Sequence, residues 1–220
     1  MKSMRAKIQS FAGAMMVPVI LFVLVGFYVG VGAGLTNYIL PEILPADSVV
    51  VKFITAVINM FVHMGFLFMN FLPVWFAVGI AFTLAKKEKG WAAFAGLIMF
   101  FTYIRGIGSY AGAWGVSADS ILTMEPNFQA LWGEVAGIFT LNMGIFSGIV
   151  AGVMAAWVHN RYIDTQFKAS FAFFSGPRFV IIMVTLFAVP LAIATYYIWP
   201  FIGRGLPSVP YTHLPLPTIY

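Results

Sequence analysis

The sequence predicts an all-α integral membrane protein with about five transmembrane helices, short interfacial amphipathic helices and a cytoplasmic amino terminus. Two observations carry this prediction. Hydrophobic residues make up 61% of the 220-residue chain and charged residues only 9%, with a mean hydropathy of +0.95, whereas soluble domains carry about 25% charged residues. The second observation is a short basic segment, residues 85–90 (AKKEKG), between two apolar runs. Because its lysines cannot lie in hydrocarbon, we interpret it as a tight turn at one membrane face.

The first half of the chain holds two predicted spans. The first covers about 11–40, follows a basic amino-terminal segment and is too long for the apolar region of a signal peptide. The apolar stretch 49–84 exceeds the roughly 20 residues that one span needs, and its first half is the more polar. We therefore expect an interfacial or re-entrant helix at about 49–62 and the second span at about 64–85, bent at Pro73.

Three further spans follow the lysine turn. The third is expected at about 91–107, and a wetter region, 108–136, separates it from a fourth span at about 137–158. Residues 160–178 are rich in phenylalanine and predict a cytoplasmic amphipathic helix. The fifth span is expected at about 179–202.

The basic residues predict the orientation. With a cytoplasmic amino terminus, one group lies inside: Lys2, Arg5, Lys7, Lys86, Lys87, Lys89, Arg161, Lys168 and Arg178. The others lie on or near the outer side: Lys52, Arg105 and Arg204. Cytoplasmic loops of membrane proteins carry such an excess of lysine and arginine. Since these residues are scattered among membrane segments, they predict contact with anionic lipid headgroups and no binding of nucleic acid.

Glycines recur every fourth residue in two of the predicted spans. They form two ladders: Gly26, Gly30, Gly34 and Gly144, Gly148, Gly152. This spacing places each set on one helix face, where the missing Cβ lets another backbone approach closely. We expect a helix–helix contact at each ladder, either within one subunit or between subunits.

No residue pattern indicates catalysis, a metal or a cofactor. The chain lacks cysteine, paired carboxylates and a serine nucleophile, and its histidines (His63, His159 and His213) lack metal-ligand spacing. The segment 30–34 (GVGAG) is part of an apolar span with no preceding strand, which excludes a dinucleotide loop. Arg105 and Glu134 either pair at the outer face or are separately solvated. We therefore predict that the chain by itself is not an enzyme.

Several segments, in order, resemble one family. They are 13–22 (GAMMVPVILF), 72–87 (LPVWFAVGIAFTLAKK), 144–162, 173–180 and 197–200 (YIWP). Together they resemble the membrane subunits (EIIC) of bacterial sugar phosphotransferase systems of the glucose superfamily. The segments 14–18 (AMMVP) and 159–162 (HNRY) are similar to the maltose/α-glucoside branch, with glucose and β-glucoside members as alternatives.

The resemblance implies a permease in the bacterial cytoplasmic membrane. It would bind a sugar outside and carry it across, while separate B and A domains phosphorylate the sugar; the full-length permease would be a homodimer. In this family the histidine and glutamate motifs that contact the sugar lie in the second half of the subunit. Neither a Leu-His-His nor a Gly-x-Thr-Glu-Pro segment occurs here. Residues 1–205 are thus expected to be the scaffold half, inactive alone, and no sugar-binding residue can be carried over to this sequence.

The last residues, 206–220 (LPSVPYTHLPLPTIY), differ from the family and contain four prolines. They resemble translated sequencing adapter, which predicts a non-native tail on a truncated sequence. The alternative is a genuine proline-rich tail, extended or disordered. It belongs with a second hypothesis for the whole chain, a complete small five-span membrane protein with a non-transport assembly role.

Overall fold

The computed structural model describes residues 2–43 and 48–205, so the prediction for 206–220 lies outside the described residues. In chain order the elements are α1 (Lys2–Gly34), a π-helical turn (Leu35–Ile39), α2 (Leu40–Ile43), α3 (Val49–Asn70), α4 (Leu72–Leu84), α5 (Lys89–Ala113), a 3-10 turn (Ser120–Thr123), α6 (Pro126–Gln129), β1 (Trp132–Val135), β2 (Ile138–Leu141), α7 (Ile145–Tyr162), a second 3-10 turn (Ala169–Phe174) and α8 (Pro177–Gly205). Helices dominate, which confirms the predicted all-α class.

Four helical segments of the described chain are long and apolar enough to cross a membrane. They are Ala12–Glu42, Val49–Asn70, Lys89–Ala113 and Pro177–Gly203, and a shorter apolar helix covers Leu72–Leu84. The first, third and fifth predicted spans coincide with helices that extend past the predicted bounds, and that they cross the membrane stays a prediction. The second and fourth predicted spans differ from the structure.

The predicted division of 49–84 was wrong. No break occurs near residue 63; α3 is one helix of 22 residues, and the chain departs from helical geometry at Phe71 (φ −97°, ψ 16°). The polar His63 does not interrupt α3, because its Nδ1 lies 2.7 Å from the carbonyl oxygen of Asn59 in the same helix. Pro73 opens α4 rather than bending a span, since proline is tolerated in the first turn of a helix.

The predicted start of the fourth span at residue 137 was also wrong. Residues 132–141 form an antiparallel hairpin whose two-residue turn, Ala136-Gly137, has positive φ at both positions (52° and 75°). Such a turn matches the twist of paired strands. Gly144, with φ 52°, then redirects the chain into α7. The hairpin covers the carboxyl-terminal end of α5, where the carbonyl of Phe139 lies against Gly108.

The predicted amphipathic helix at 160–178 was wrong as well. Its first residues belong to α7, and a short 3-10 turn, Ala169–Phe174, forms the rest of the connection. Gly176 (φ 65°) donates its N–H to the Thr165 carbonyl (2.9 Å) and ends this connection. Pro177 then starts α8. Gly176 and Pro177 therefore set the boundary between this connection and α8, which the phenylalanine pattern did not indicate.

The main core lies between α4, α5, α7 and α8. α4 and α5 are antiparallel and are joined by the lysine turn. α7 runs parallel to α4, because Gly148 lies against Pro73 at the start of both helices and Asn160 reaches Leu84 at their ends. α8 returns antiparallel to α7. Helix direction therefore alternates along α4, α5, α7 and α8, as the predicted topology requires.

α1 packs along two helices in succession. Ala14 is buried against Phe76 and Ile80 of α4, and farther along Gly32 lies against Val62 of α3. α1 is thus antiparallel to both. From Lys2 to Ile43 the helical chain is about 60 Å long at 1.5 Å per residue, so the α1–α3 pair continues well beyond the amino-terminal end of α4.

Candidate functional site

The lysine turn is present and tight. α4 ends at Leu84 and α5 begins at Lys89, with Glu88 in the left-handed region (φ 44°). The Glu88 carbonyl accepts hydrogen bonds from the backbone N–H groups of Trp91 and Ala92 (3.0 and 3.2 Å). The first turn of α5 therefore starts directly from the turn.

The end of α7 holds the turn in place through two side chains. The Lys86 N–H donates to Asn160 Oδ1 (2.8 Å), and Asn160 Nδ2 donates to the Leu84 carbonyl (3.0 Å). His159 Nε2 lies 2.9 Å from the Lys87 carbonyl. Because a carbonyl only accepts, Nε2 must carry the proton. His159 is fully buried, and its Nδ1 has no partner among the described atoms.

An exposed ion pair adds little to the hydrogen bonds between α7 and the lysine turn. Lys87 Nζ lies 2.9 Å from Asp164 Oδ2, with side-chain exposures of 62% and 71%. Exposed pairs of this kind contribute about 0–1 kcal/mol. The hydrogen bonds from Asn160 and His159 to backbone groups therefore provide most of the attachment between α7 and the lysine turn.

The predicted topology residues gather at this end of the bundle. Lys86, Lys87 and Lys89 belong to the turn, and Arg161 lies in the last turn of α7 beside it. Arg178, at the start of α8, donates from Nη1 to the Phe173 carbonyl (2.9 Å), and its guanidinium lies 4.3 Å from the Phe173 ring centre. That this end faces the cytoplasm stays a prediction.

Two members of the second glycine ladder lie against α4. A Cβ on Gly148 would collide with the Pro73 carbonyl oxygen, and one on Gly152 would lie 2.8 Å from the Ala77 carbonyl oxygen. A Cβ on Gly96 of α5 would lie 2.7 Å from the same Ala77 oxygen. Glycine therefore allows both α5 and α7 to approach the α4 backbone closely. The third member, Gly144, instead supplies the positive φ before α7.

The first glycine ladder contacts nothing within the described chain. Added Cβ atoms at Gly26, Gly30 and Gly34 would meet no atom within 4 Å, whereas Gly32, on another face of α1, is the one that packs on α3. The contact predicted for this ladder stays a prediction, and within the described residues its face is open.

The other sequence candidates do not converge. Among the described side chains Lys87–Asp164 is the one salt bridge, so Arg105 and Glu134 do not pair. His63 is exposed on α3, and His213 lies outside the described residues.

A bond that the sequence analysis missed joins α5 to α8. The hydroxyl of the buried Tyr103 donates a hydrogen bond to Thr195 Oγ1 (2.8 Å). The Tyr103 hydroxyl oxygen also lies 3.7 Å from the sulfur of Met143. Polar side chains in two apolar helices were the available signal, but their separation of 92 residues hid the pairing.

A cavity of about 620 Å³, with apolar and polar side chains in its wall, lies at the end of the bundle opposite the lysine turn. Its wall includes Asn70, Pro73, Glu134, Asn142, Phe146 and Trp199. The sequence did not reveal it, because the wall combines the ends of α3 and α8, the start of α4 and α7, and the hairpin. We refer to it below as the outer cavity, after the orientation predicted from the basic residues.

The alternating apolar helices, the basic turn and the lipid-compatible exterior define a multi-pass helical membrane protein. Residues 12–213 match the family described as "Phosphotransferase system, EIIC". The chain belongs to this family, whose members are inner-membrane permease components of sugar phosphotransferase systems.

Curated relatives agree with the family. The chain is 31% identical to the PTS system alpha-glucoside-specific EIICB component of Klebsiella pneumoniae and 29% identical to the maltose-specific EIICB component of Bacillus subtilis, covering 94% of this chain and 38% of each relative. It is 30% identical to the glucose-specific EIICBA component of Staphylococcus saprophyticus, covering 93% of this chain and 29% of the relative. The chain thus spans little more than a third of the first two.

Proposed function

We propose that this chain is the amino-terminal scaffold part of a sugar permease of the phosphoenolpyruvate-dependent phosphotransferase system. The observation that carries the proposal is the family match over residues 12–213, on a bundle where the lysine turn, Arg161 and Arg178 lie at one end. In this proposal the sugar crosses the bacterial cytoplasmic membrane and is phosphorylated by B and A components. The names EIICB and EIICBA of the relatives support these partners.

The proposed sugar is an α-glucoside, with glucose as the alternative. Relatives specific for alpha-glucoside, maltose and glucose are 31%, 29% and 30% identical, so identity alone does not separate them. The segments 14–18 and 159–162 favour the α-glucoside class. The gripping residues for the sugar are proposed to lie in the part of the longer relatives that this chain does not span.

Lipid and a second subunit are the proposed neighbours of the exposed apolar surface. Large apolar side chains are widely exposed on α1, α3 and α8, for example Phe53 (69%) and Phe201 (81%). Exposed apolar area of this kind requires hydrocarbon or protein around it. The open face of Gly26, Gly30 and Gly34 is proposed as a contact in the full-length homodimer.

Sugar uptake tests the functional proposal. The chain is expressed in a bacterial host that lacks its glucose and maltose permeases but keeps the soluble phosphotransferase components. In parallel, residues 1–205 are joined to the remainder of the Bacillus subtilis maltose-specific relative. We expect PEP-dependent uptake of radiolabelled maltose from the fusion and none from the chain alone. Robust uptake by the chain alone would contradict the scaffold assignment.

Cysteine labelling tests the orientation, because the chain contains no cysteine of its own. Lys89→Cys marks the lysine turn, and Asp119→Cys marks the exposed loop after α5 at the opposite end. A membrane-impermeant maleimide added to intact cells should label Asp119→Cys and reach Lys89→Cys only after permeabilisation. The reverse pattern would invert the proposed topology.

A further inference from the structure

The outer cavity brings together four polar or amphipathic side chains from four parts of the chain. Asn70 ends α3, Glu134 belongs to β1, Asn142 follows β2, and Trp199 lies in α8. Asn70, Glu134 and Asn142 are exposed residues of its wall, while Trp199 is half-buried. Binding pockets for small molecules have this composition of a few convergent polar groups on an apolar wall.

The charges at the cavity oppose each other. The Glu134 carboxylate supplies a negative charge, and the start of α7, at Ile145 and Phe146, lines the same space. The amino-terminal end of a helix carries about +0.5 of an elementary charge. An anion would meet the carboxylate, and a cation would meet the helix end. A neutral ligand with both donor and acceptor groups satisfies both.

The remaining groups select for hydroxyls. Asn70 and Asn142 each offer a carbonyl acceptor and an amide donor, and Glu134 is an acceptor for hydroxyl donors. The indole ring of Trp199 supplies an apolar surface with one N–H donor. A pyranose ring matches this set, since it carries hydroxyls at its edge and C–H groups on its faces. The volume of about 620 Å³ lies within the usual 300–1,000 Å³ of ligand pockets.

We propose that the outer cavity binds the pyranose ring of a neutral sugar, as an outward-facing subsite in the scaffold part of the chain. This rests on the proposed function for the choice of sugar over other polyols. The subsite lies at the end of the bundle opposite the lysine turn, where a sugar arrives in the proposed orientation. It is separate from the gripping site expected in the longer relatives.

Equilibrium binding tests the proposal on the 220-residue chain itself. Right-side-out membrane vesicles carry the chain in a host without other glucose or maltose permeases, and binding of radiolabelled maltose and glucose is measured without phosphoenolpyruvate. We expect saturable binding that weakens about tenfold in Glu134→Gln, which removes a charge-assisted hydrogen bond. Asn142→Ala is the second variant, because this exposed residue can change without disturbing the core.

Matched controls have the same residue types outside the cavity. The control for Glu134→Gln is Glu125→Gln, which alters another exposed carboxylate near the same end. The control for Trp199→Phe is Trp114→Phe, at the end of α5. Both controls should bind as the unchanged chain does. The proposal is overturned if neither sugar binds, if binding is equal in all variants, or if inorganic phosphate or Na⁺ competes at the same side chains.

The outcome is distinguishable from that of the uptake experiment. Loss of the subsite leaves uptake by the fusion possible, because the residues that contact the sugar during transport are proposed to lie in the second part of the relative. Failure of uptake with intact binding would instead contradict the permease assignment.

Discussion

Replacing Gly148 with alanine is expected to separate α4 from α7, whereas the same change at Gly30 leaves the fold intact. A Cβ on Gly148 would collide with the Pro73 carbonyl oxygen and lie 2.8 Å from the carbonyl carbon. Both atoms belong to the main chain, so no side-chain rotation relieves the contact. At Gly30 an added Cβ meets no atom within 4 Å. The two variants therefore share one chemical change in opposite surroundings.

The expected difference in the free energy of unfolding is about 1–3 kcal/mol. Forcing extra volume into a packed contact costs about 1–3 kcal/mol, and alanine stabilises a helix by up to about 1 kcal/mol relative to glycine. Gly30→Ala has only the second effect and should be neutral or slightly stabilising. Gly148→Ala has both and should be destabilising.

Unfolding in mixed micelles of mild detergent and sodium dodecyl sulfate, followed by circular dichroism, measures this difference. Gly152→Ala is a second test, since its Cβ would lie 2.8 Å from the Ala77 carbonyl oxygen, and it should also be destabilising. Equal stability of Gly148→Ala and Gly30→Ala, within about 0.5 kcal/mol, would refute the close α4–α7 approach. Weaker self-association of Gly30→Ala at unchanged monomer stability would support the proposed subunit contact of the first ladder.

Three further predictions use the same unfolding assay. Asn160→Ala removes two hydrogen bonds to the lysine turn and should cost about 1–3 kcal/mol, while Asn127→Ala, on exposed α6, should be neutral; equal values would argue against these hydrogen bonds. Tyr103→Phe removes the bond to Thr195 and should cost about 0.5–1.5 kcal/mol; no loss would mean that the bond is not formed. Lys87→Ala should change stability by less than about 1 kcal/mol, and a larger loss would show that the ion pair is stronger than its exposure implies.

The class and most spans were predictable because membrane helices need long apolar runs, and three such runs are separated by clear polar breaks. The break between α3 and α4 was not, because Phe71 and Leu72 are as apolar as their neighbours. The more polar first half of 49–84, which includes Asn59 and His63, suggested a break instead, but the contact between these two residues lies within one helix. Polarity thus predicted the boundary eight residues before the backbone departs from helical geometry.

The sites were less predictable than the fold. The second glycine ladder predicted a close helix contact. Its spacing could not reveal that Gly144 adopts the positive φ before α7, while Gly148 and Gly152 pack against the α4 backbone. The hairpin carries one glycine in its turn, with Ala136 at the other positive-φ position, so the usual turn signal was weak. Because the hairpin forms part of the wall of the outer cavity, the cavity could not be predicted from the sequence either.

The burial of α4 constrains the order in which the chain assembles. With 13 residues α4 is about 20 Å long, shorter than the roughly 30 Å hydrocarbon core. Two of its main partners, α5 and α7, follow it in the chain, and α7 ends 78 residues after α4 does. During synthesis α4 must therefore remain beside lipid or the insertion machinery until residue 152 has emerged. If the ribosome stalls before that point, α4 should lack its contact with α7 and remain accessible to membrane proteases or chaperones.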